Sequence, residues 1–459
     1  MNNKKNDIPK NSVKLFNQRR GKQKNLCNAP FTAVSIGYDG QVSPCCYTLI
    51  PDNITGNAFI TDNSLQEIWN GDVFKKYRKF VRKNNLPPSC YLCREKLTHL
   101  DFDAIKIREF EHLPILKKHP YLIELNIDNT CNLECVMCNS VNSSRIAARY
   151  GLKTRLLDTG RIFEQLKDFL PYANEMIFSG GEPFMSEIYF RIWKELIIAN
   201  PACKITLNTN ATIINQGVQD IIEKGNFNFN ISLDSIVKET YEKIRVHSKF
   251  ETFIDNFDYL CEYSKRKNIP VSAPVCPLVH NYKEIPGLIN FCNEHHVYMV
   301  FLHVFGAHCV ALNAAPSALL EDALCLYANT TLKTETNAEK HNAMRFHSLL
   351  ADVKIWITEA KKREAFIKTL DVNPAMFQHK IDAWKNNLAL HIDDNNSRIF
   401  LFEKLDLVFN ELPGHFKSVF FADALQGYSP ATYINLLKKF PVTEIAEYFR
   451  IIFNQKINQ

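Results

Sequence analysis

Between residues 121 and 305 the chain alternates short apolar runs with amphipathic stretches, and that alternation leaves few folds open. Apolar runs at 122–128, 175–179, 204–208, 227–234, 270–275 and 298–305 read as strands. Helical patterns at 186–199, 213–224, 250–267 and 283–296 lie between them. Strands that alternate with helices pair in parallel, because each crossover returns the chain to the same end of the sheet. Six strands joined by five crossovers make either a partial barrel or an open doubly wound sheet, and periodicity does not separate the two. In both, chemistry gathers at the C-terminal ends of the strands.

Those ends carry the polar motifs. After the first run comes Asp128-Asn-Thr-Cys-Asn-Leu-Glu-Cys-Val-Met-Cys-Asn139, which spaces Cys131, Cys135 and Cys138 as C-x3-C-x2-C. Three close thiolates can hold three irons of a [4Fe–4S] cluster, which normally takes four Cys, so one iron stays open. The other reading is half of a zinc site, which would usually bring a second C-x2-C pair or His partners. The second run ends in Gly180-Gly181-Glu182-Pro183. Glycine lets backbone approach a ligand closely, and a carboxylate suits an ammonium. The third ends in Leu207-Asn208-Thr209-Asn210, where Asn210 is either a ligand contact or a turn former. The fourth ends at Ser232 and Asp234, with Arg245 eleven residues beyond Asp234. A guanidinium fits bidentate recognition of a carboxylate, or serves as a surface helix cation. Asp234 is suited to holding backbone at the strand end.

Taken together, these motifs resemble those of the radical S-adenosylmethionine (radical SAM) enzymes. The resemblance implies an α/β fold, a partial (β/α)6 TIM-like barrel, over residues 118–309. It makes Cys131, Cys135 and Cys138 ligands of a [4Fe–4S] cluster. Gly180, Gly181, Glu182 and Pro183 would bind the methionyl amino group of S-adenosylmethionine. Asn210 would help hold the cofactor, and Ser232 and Arg245 would meet the methionyl carboxylate. Met137 stands where the family contacts the adenine; an aromatic is commoner there, and a packed core residue is the competing reading. The implied activity begins with electron transfer from the reduced cluster to the sulfonium. Cleavage gives methionine and a 5′-deoxyadenosyl radical, which takes hydrogen from a substrate. The implied partners are an electron donor such as flavodoxin or ferredoxin and a small-molecule or peptide substrate. The motifs do not name the residue acting on that substrate.

A second cysteine set precedes the barrel. Cys27, Gly40 and Cys45 follow C-x12-G-x4-C, Cys46 comes next, and Cys90 and Cys93 form C-x2-C. Runs at 31–37 and 41–43 around Asp39-Gly40 read as a hairpin that brings Cys27 and Cys45 together. A helix from Ser64 to about Asn84 returns the chain to Cys90 and Cys93. Four thiolates enclose a complete site, for which structural zinc is the competing occupant. The pattern resembles the twitch and SPASM modules of radical SAM enzymes, placed here before the barrel instead of after it. That resemblance implies a second, auxiliary [4Fe–4S] cluster over residues 25–100, held by Cys27, Cys45, Cys90 and Cys93, that moves electrons. Cys46 fits the count less well than Cys45.

The rest of the chain bounds the reading. In 459 residues, 46% hydrophobic and 23% charged content fits a globular chain with an ample core. No apolar run reaches the ~18 residues of a membrane span, and the polar N-terminus lacks a leader, so a cytoplasmic protein is expected. Fourteen cysteines in a reducing compartment argue for metal, not disulfides. Much of the net charge of +6 sits in residues 1–24, read as a disordered basic arm. No membrane partner is expected, and an acidic or nucleic-acid contact of the arm is the lesser reading. Residues 310–459 read as a helical accessory domain, with a helix at 430–450. Cys203, Cys261, Cys276, Cys292, Cys309 and Cys325 lack cluster spacing, and Cys276, His303 and His308 are the remaining strand-end candidates. The expected activity is thus that of an oxidoreductase or a peptide- or small-molecule-modifying enzyme. The alternative is an iron-sulfur or zinc redox sensor without turnover.

Overall fold

The computed structural model describes residues 8–21, 23–48, 55–98, 100, 102, 105–116, 118–152, 157–304, 310–369, 382, 385–386, 388–390, 392, 395–411, 434, 437 and 440–446. His308, Cys309, Lys4, Lys5, Lys22 and most of the expected helix at 430–450 lie outside that set. The described strands are β1 (Ala33–Ile36), β2 (Val42–Ser43), β3 (Leu122–Leu125), β4 (Glu175–Phe178), β5 (Lys204–Thr209), β6 (Asn226–Ile231), β7 (Ser272–Val275) and β8 (Tyr298–Phe301). They form one sheet in the order β2-β1-β3-β4-β5-β6-β7-β8. From β3 onward the sheet order follows the chain order. That is the winding of a βα barrel; a doubly wound sheet reverses at a switch point. Leu122 pairs with Glu175, Glu175 with Lys204, and Ser272 with Tyr298, all in parallel register.

The sheet has eight strands where the alternation predicts six, because the N-terminal hairpin joins it. β1 pairs antiparallel with β2 and parallel with β3, Ala33 opposite Leu122 and Ile36 opposite Leu125. An unpaired β3 edge would leave a row of backbone groups without partners. All four β1 residues are buried, as a strand inside a parallel sheet requires. The expected strand at 31–37 is shorter at its start, where Ala29–Thr32 forms a helical turn. The Asp-Gly turn sits within a longer loop. Gly37 N–H donates to Gln41 carbonyl at 2.9 Å and Gly40, at φ +80°, takes the left-handed corner.

At the other edge, the long helix Asn337–Thr369 covers β8. Asn342, fully buried, accepts from Met299 N–H at 2.7 Å and donates to Val297 carbonyl at 2.9 Å.

The chain divides into two compact units. The first comprises Met1–Cys131, Lys153–Thr209 and Ile213–Phe229; the second comprises Asn132–Leu152, Asn210–Thr212 and Asn230–Gln459. In the first unit the basic arm is not disordered over its length: Lys10–Arg20 is a helix. Phe16 is buried against Phe102, with ring centroids 5.3 Å apart, so apolar burial overrides the local charge. Arg20 pairs with Glu111 at 3.0 Å and donates to the Leu26 carbonyl at 2.9 Å. The expected helix at 64–84 is two helices, Leu65–Asn70 and Asp72–Arg82. Ser64 and Glu67 form a capping box at the start, and Gly71 breaks the run.

Candidate functional site

The N-terminal cysteines share one cavity, although among the described residues no three His, Cys, Asp or Glu side chains are grouped closely enough to hold a single metal ion. Cys27, Cys45, Cys90 and Cys93 line one cavity of about 450 Å³, counting the space open to solvent. Three segments deliver them: the turn before β1 supplies Cys27, the chain after β2 supplies Cys45, and the end of the helical return supplies Cys90 and Cys93. Leu26 N–H donates to Val81 carbonyl at 2.9 Å, which ties the Cys27 segment to that return. The surroundings are apolar: Cys27 and Cys93 share a buried core with Phe16, Val81, Leu86 and Ile107.

Burial pushes the Cys27 thiol up to about 12 and the Cys93 thiol up to about 11. A hydrogen bond from Cys46 pulls Cys45 down, yet burial leaves it above the ordinary thiol range. Bare thiolates are therefore costly here, a cost that a cationic centre would offset. A four-cysteine set lining one apolar cavity fits an iron-sulfur cluster by donor chemistry. Cys46 lies within hydrogen-bonding reach of the Cys45 sulfur and the Glu124 carboxyl.

In the second unit, the loop carrying Cys135 and Cys138 is held by its own backbone. Glu134 N–H donates to Val246 carbonyl at 3.1 Å, and Val136 N–H to Ile244 carbonyl at 3.0 Å. Short polar side chains finish the loop: Ser143 donates to Leu133 carbonyl at 2.8 Å, and Asn139 accepts from Val141 and Asn142 at 3.1 Å each. Cys135 is 8% exposed; Cys138 is half-buried, as is Cys131 in the first unit.

Arg245 has partners of its own. Its Nε donates to Asp234 Oδ2 at 2.7 Å, Nη2 reaches the same oxygen, and Nη1 lies 3.6 Å from Cys135 Sγ. Burial raises the Cys135 thiol while this guanidinium opposes the rise. Arg245 is thus no exposed helix cation: its side chain is 11% exposed and that of Asp234 is fully buried. The guanidinium has five N–H groups, so some remain beyond these contacts for a carboxylate. Asp234, at φ +56°, does hold backbone. Its Oδ1 accepts from Cys276 N–H at 2.7 Å and its carbonyl accepts from Asn281 at 2.7 Å. Ser232 is half-buried just past β6. Asn210 makes a local turn, accepting from Thr212 N–H at 2.9 Å and donating to Asn132 at 3.1 Å. Met137 and Cys276 pack partly buried against Ile244, Leu278 and Val310. His303 approaches Asp352 at 3.1 Å and the Trp356 ring.

The Gly180–Pro183 segment, in the first unit, differs from the sequence argument in its reason for glycine. The close approach is to backbone: a Cβ on Gly180 would lie 2.2 Å from Asp128 carbonyl oxygen, and one on Gly181 2.1 Å from that of Thr130. Glu182 is 1% exposed and its Oε1 accepts from Phe184 N–H at 3.2 Å and from Thr209 Oγ1 at 2.7 Å. Asp128 braces the same loop, accepting from Thr130 N–H at 2.9 Å and Ser186 Oγ at 2.6 Å. Thr209, Asp128 and Asn281 are supports that motif reading passes over. Thr209 and Asp128 stand inside the strand-end motifs and Asn281 in none, and the pairing of Thr209 with Glu182 depends on the fold.

Residues 125–292 match the family model of the radical SAM superfamily, and residues 27–94 match that of an iron-sulfur cluster-binding domain, SPASM. A GTP 3′,8-cyclase of Clostridium acetobutylicum is 22% identical over 183 residues, 40% of this chain and 55% of that protein. The molybdenum cofactor biosynthesis protein moc-5 of Caenorhabditis elegans is 22% identical over 209 residues, 43% of this chain and 33% of that protein. The match thus spans about half or less of these relatives. Among solved structures, native anSMEcpe with bound AdoMet has a TM-score of 0.35 at 16% identity, covering 45% of this chain and 59% of that one. Streptococcus suis SuiB bound to precursor peptide SuiA has a TM-score of 0.33 at 18% identity, covering 62% and 65%. Among the described residues no helix is long and apolar enough to cross a membrane. The chain therefore carries a radical SAM superfamily domain, preceded by an iron-sulfur cluster-binding SPASM domain.

Proposed function

We propose that this protein is a radical SAM enzyme with two [4Fe–4S] clusters, the second an auxiliary cluster for electron transfer. The observation that carries the reading is the convergence of Cys27, Cys45, Cys90 and Cys93 on one cavity, inside the stretch that matches the cluster-binding domain. In this reading residues 25–100 form the auxiliary domain, 118–309 the core and 310–459 an accessory domain. Cys131, Cys135 and Cys138 hold the first cluster, whose open iron takes S-adenosylmethionine. When bound, that pair supplies reductive cleavage to methionine and a 5′-deoxyadenosyl radical.

The chain's own residues bind and orient. The rigid Gly180–Pro183 loop presents backbone to the methionyl amino group, with Glu182 and Thr209 fixing its shape. Ser232 and the N–H groups of Arg245 not used on Asp234 and Cys135 receive the carboxylate. Asn210 and Met137 complete the cofactor contacts. The substrate is a small molecule or a peptide. GTP is the first compound to try, since curated relatives are GTP 3′,8-cyclases.

The test is anaerobic reconstitution of the full chain, followed by iron analysis and assay of 5′-deoxyadenosine under reductant. About eight irons per chain are expected, and about four after Cys131→Ala, Cys135→Ala and Cys138→Ala together. One zinc with only four irons would remove the auxiliary cluster. Full iron without 5′-deoxyadenosine would leave the redox-sensor reading in its place.

A further inference from the structure

The auxiliary cavity has a charged wall residue that no cysteine motif contains. Lys106 lines it together with Cys27, Cys45, Cys90 and Cys93. It opens the short 3-10 segment Lys106–Phe110, which packs beneath the cavity through buried Ile107 and Phe110. The Lys106 side chain is 17% exposed, which is rare for lysine without a compensating charge. Its Nζ bonds Glu109 Oε2 at 2.6 Å and lies 5.4 Å from the Tyr47 ring centroid.

The asymmetry of that ion pair matters. Glu109 is 59% exposed, so water screens its carboxylate, whereas the Lys106 side chain is mostly buried and lines the apolar cavity. The other buried cation near Cys27 is Arg20, and it is neutralised differently. Its partner Glu111 is as buried as itself, at 7% against 5%. Glu124 also stands near Lys106; burial raises its carboxyl while that ammonium opposes the rise.

We infer that Lys106 sets the charge balance of the auxiliary cluster, raising its reduction potential so that it takes up an electron readily. The inference rests on the cluster reading proposed above. One-electron reduction adds a negative charge to a centre already made anionic by four thiolates. A fixed ammonium in the same low-dielectric cavity favours that reduced state; net charge and burial are main determinants of such potentials. Lys106 is thus a tuning residue, not a ligand or a catalytic residue.

The experiment isolates the auxiliary cluster in the full chain carrying Cys131→Ala, Cys135→Ala and Cys138→Ala. Its midpoint potential is measured by dithionite titration monitored by electron paramagnetic resonance, with iron content alongside. Lys106→Met should lower the potential at unchanged iron, and Lys106→Arg should leave it near the parent value. Lys106→Gln, which removes the charge but keeps a polar side chain, should lower it too, and decides the matter if Lys106→Met fails to hold iron. An unmoved potential at full iron in Lys106→Met, or in Lys106→Gln where Lys106→Met loses iron, overturns the inference while the cluster reading stands. A parent chain that binds no iron overturns the cluster reading and takes this inference with it.

Discussion

At the scale of single residues, the glycines and Glu182 of the second strand-end motif are constrained by protein before any ligand arrives. A methyl group on Gly181 would meet the Thr130 carbonyl oxygen at 2.1 Å, a contact only backbone movement relieves. Gly181→Ala should cost about 1–3 kcal/mol or more by overpacking, read as a lowered denaturation midpoint of the apoprotein. Thr209→Val tests the same loop more gently. It removes the hydroxyl that donates 2.7 Å to Glu182 and leaves a buried carboxylate short of one partner. We expect a loss of about 1–3 kcal/mol in stability, together with weaker S-adenosylmethionine binding by calorimetry. Unchanged cofactor affinity at full iron would mean that Glu182 is not oriented through Thr209. The Asp234–Arg245 pair follows the same logic. Breaking a buried pair by removing one partner costs more than the pair contributes, because the remaining charge is stranded.

At the scale of elements, one helix finishes a sheet edge and another completes the N-terminal core. The helix Asn337–Thr369 caps β8 through Asn342, which serves Met299 N–H and Val297 carbonyl at once. Asn342→Leu should cost about 1–3 kcal/mol for the unsatisfied buried groups and speed amide exchange at Met299 more than in β7. Equal protection at Met299 would show that the edge is closed by other contacts. At the N-terminus, the helix Lys10–Arg20 packs Phe16 into the core that also contains Cys27 and Cys93. Phe16→Ala should cost about 3–5 kcal/mol, and its auxiliary site should lose iron at a lower denaturant concentration than the barrel cluster does. Simultaneous release of both would instead make the arm a support for the whole chain.

At the scale of the whole molecule, the proposed function would divide labour between the two cysteine sets. A centre with an open iron can bind and cleave a cofactor, while a centre closed by four thiolates can only pass electrons. Replacing Cys90 and Cys93 by Ala should spare uncoupled 5′-deoxyadenosine formation and abolish turnover of the true substrate. Loss of uncoupled cleavage with the barrel cluster intact would make the auxiliary centre an electron donor to the first. Full substrate turnover would make it structural. Iron content and circular dichroism come first, because a small domain organised around metal can unfold without it.

The sequence by itself determined the parallel βα winding, the two cysteine sets and the strand-end positions of the polar motifs. Each of these rests on local spacing: period, turn residues and the short reach of three or four neighbouring side chains. Which edge the N-terminal hairpin joins, why Gly180 and Gly181 must be glycine, and what Arg245 touches were decided by tertiary structure. Those contacts link residues far apart in the chain, such as Ala33 with Leu122 and Arg245 with Cys135. Periodicity carries no signal for them. The basic arm makes the same point: its charge suggested a solvated tail, yet Phe16 found Phe102 across the fold and burial outweighed the local composition.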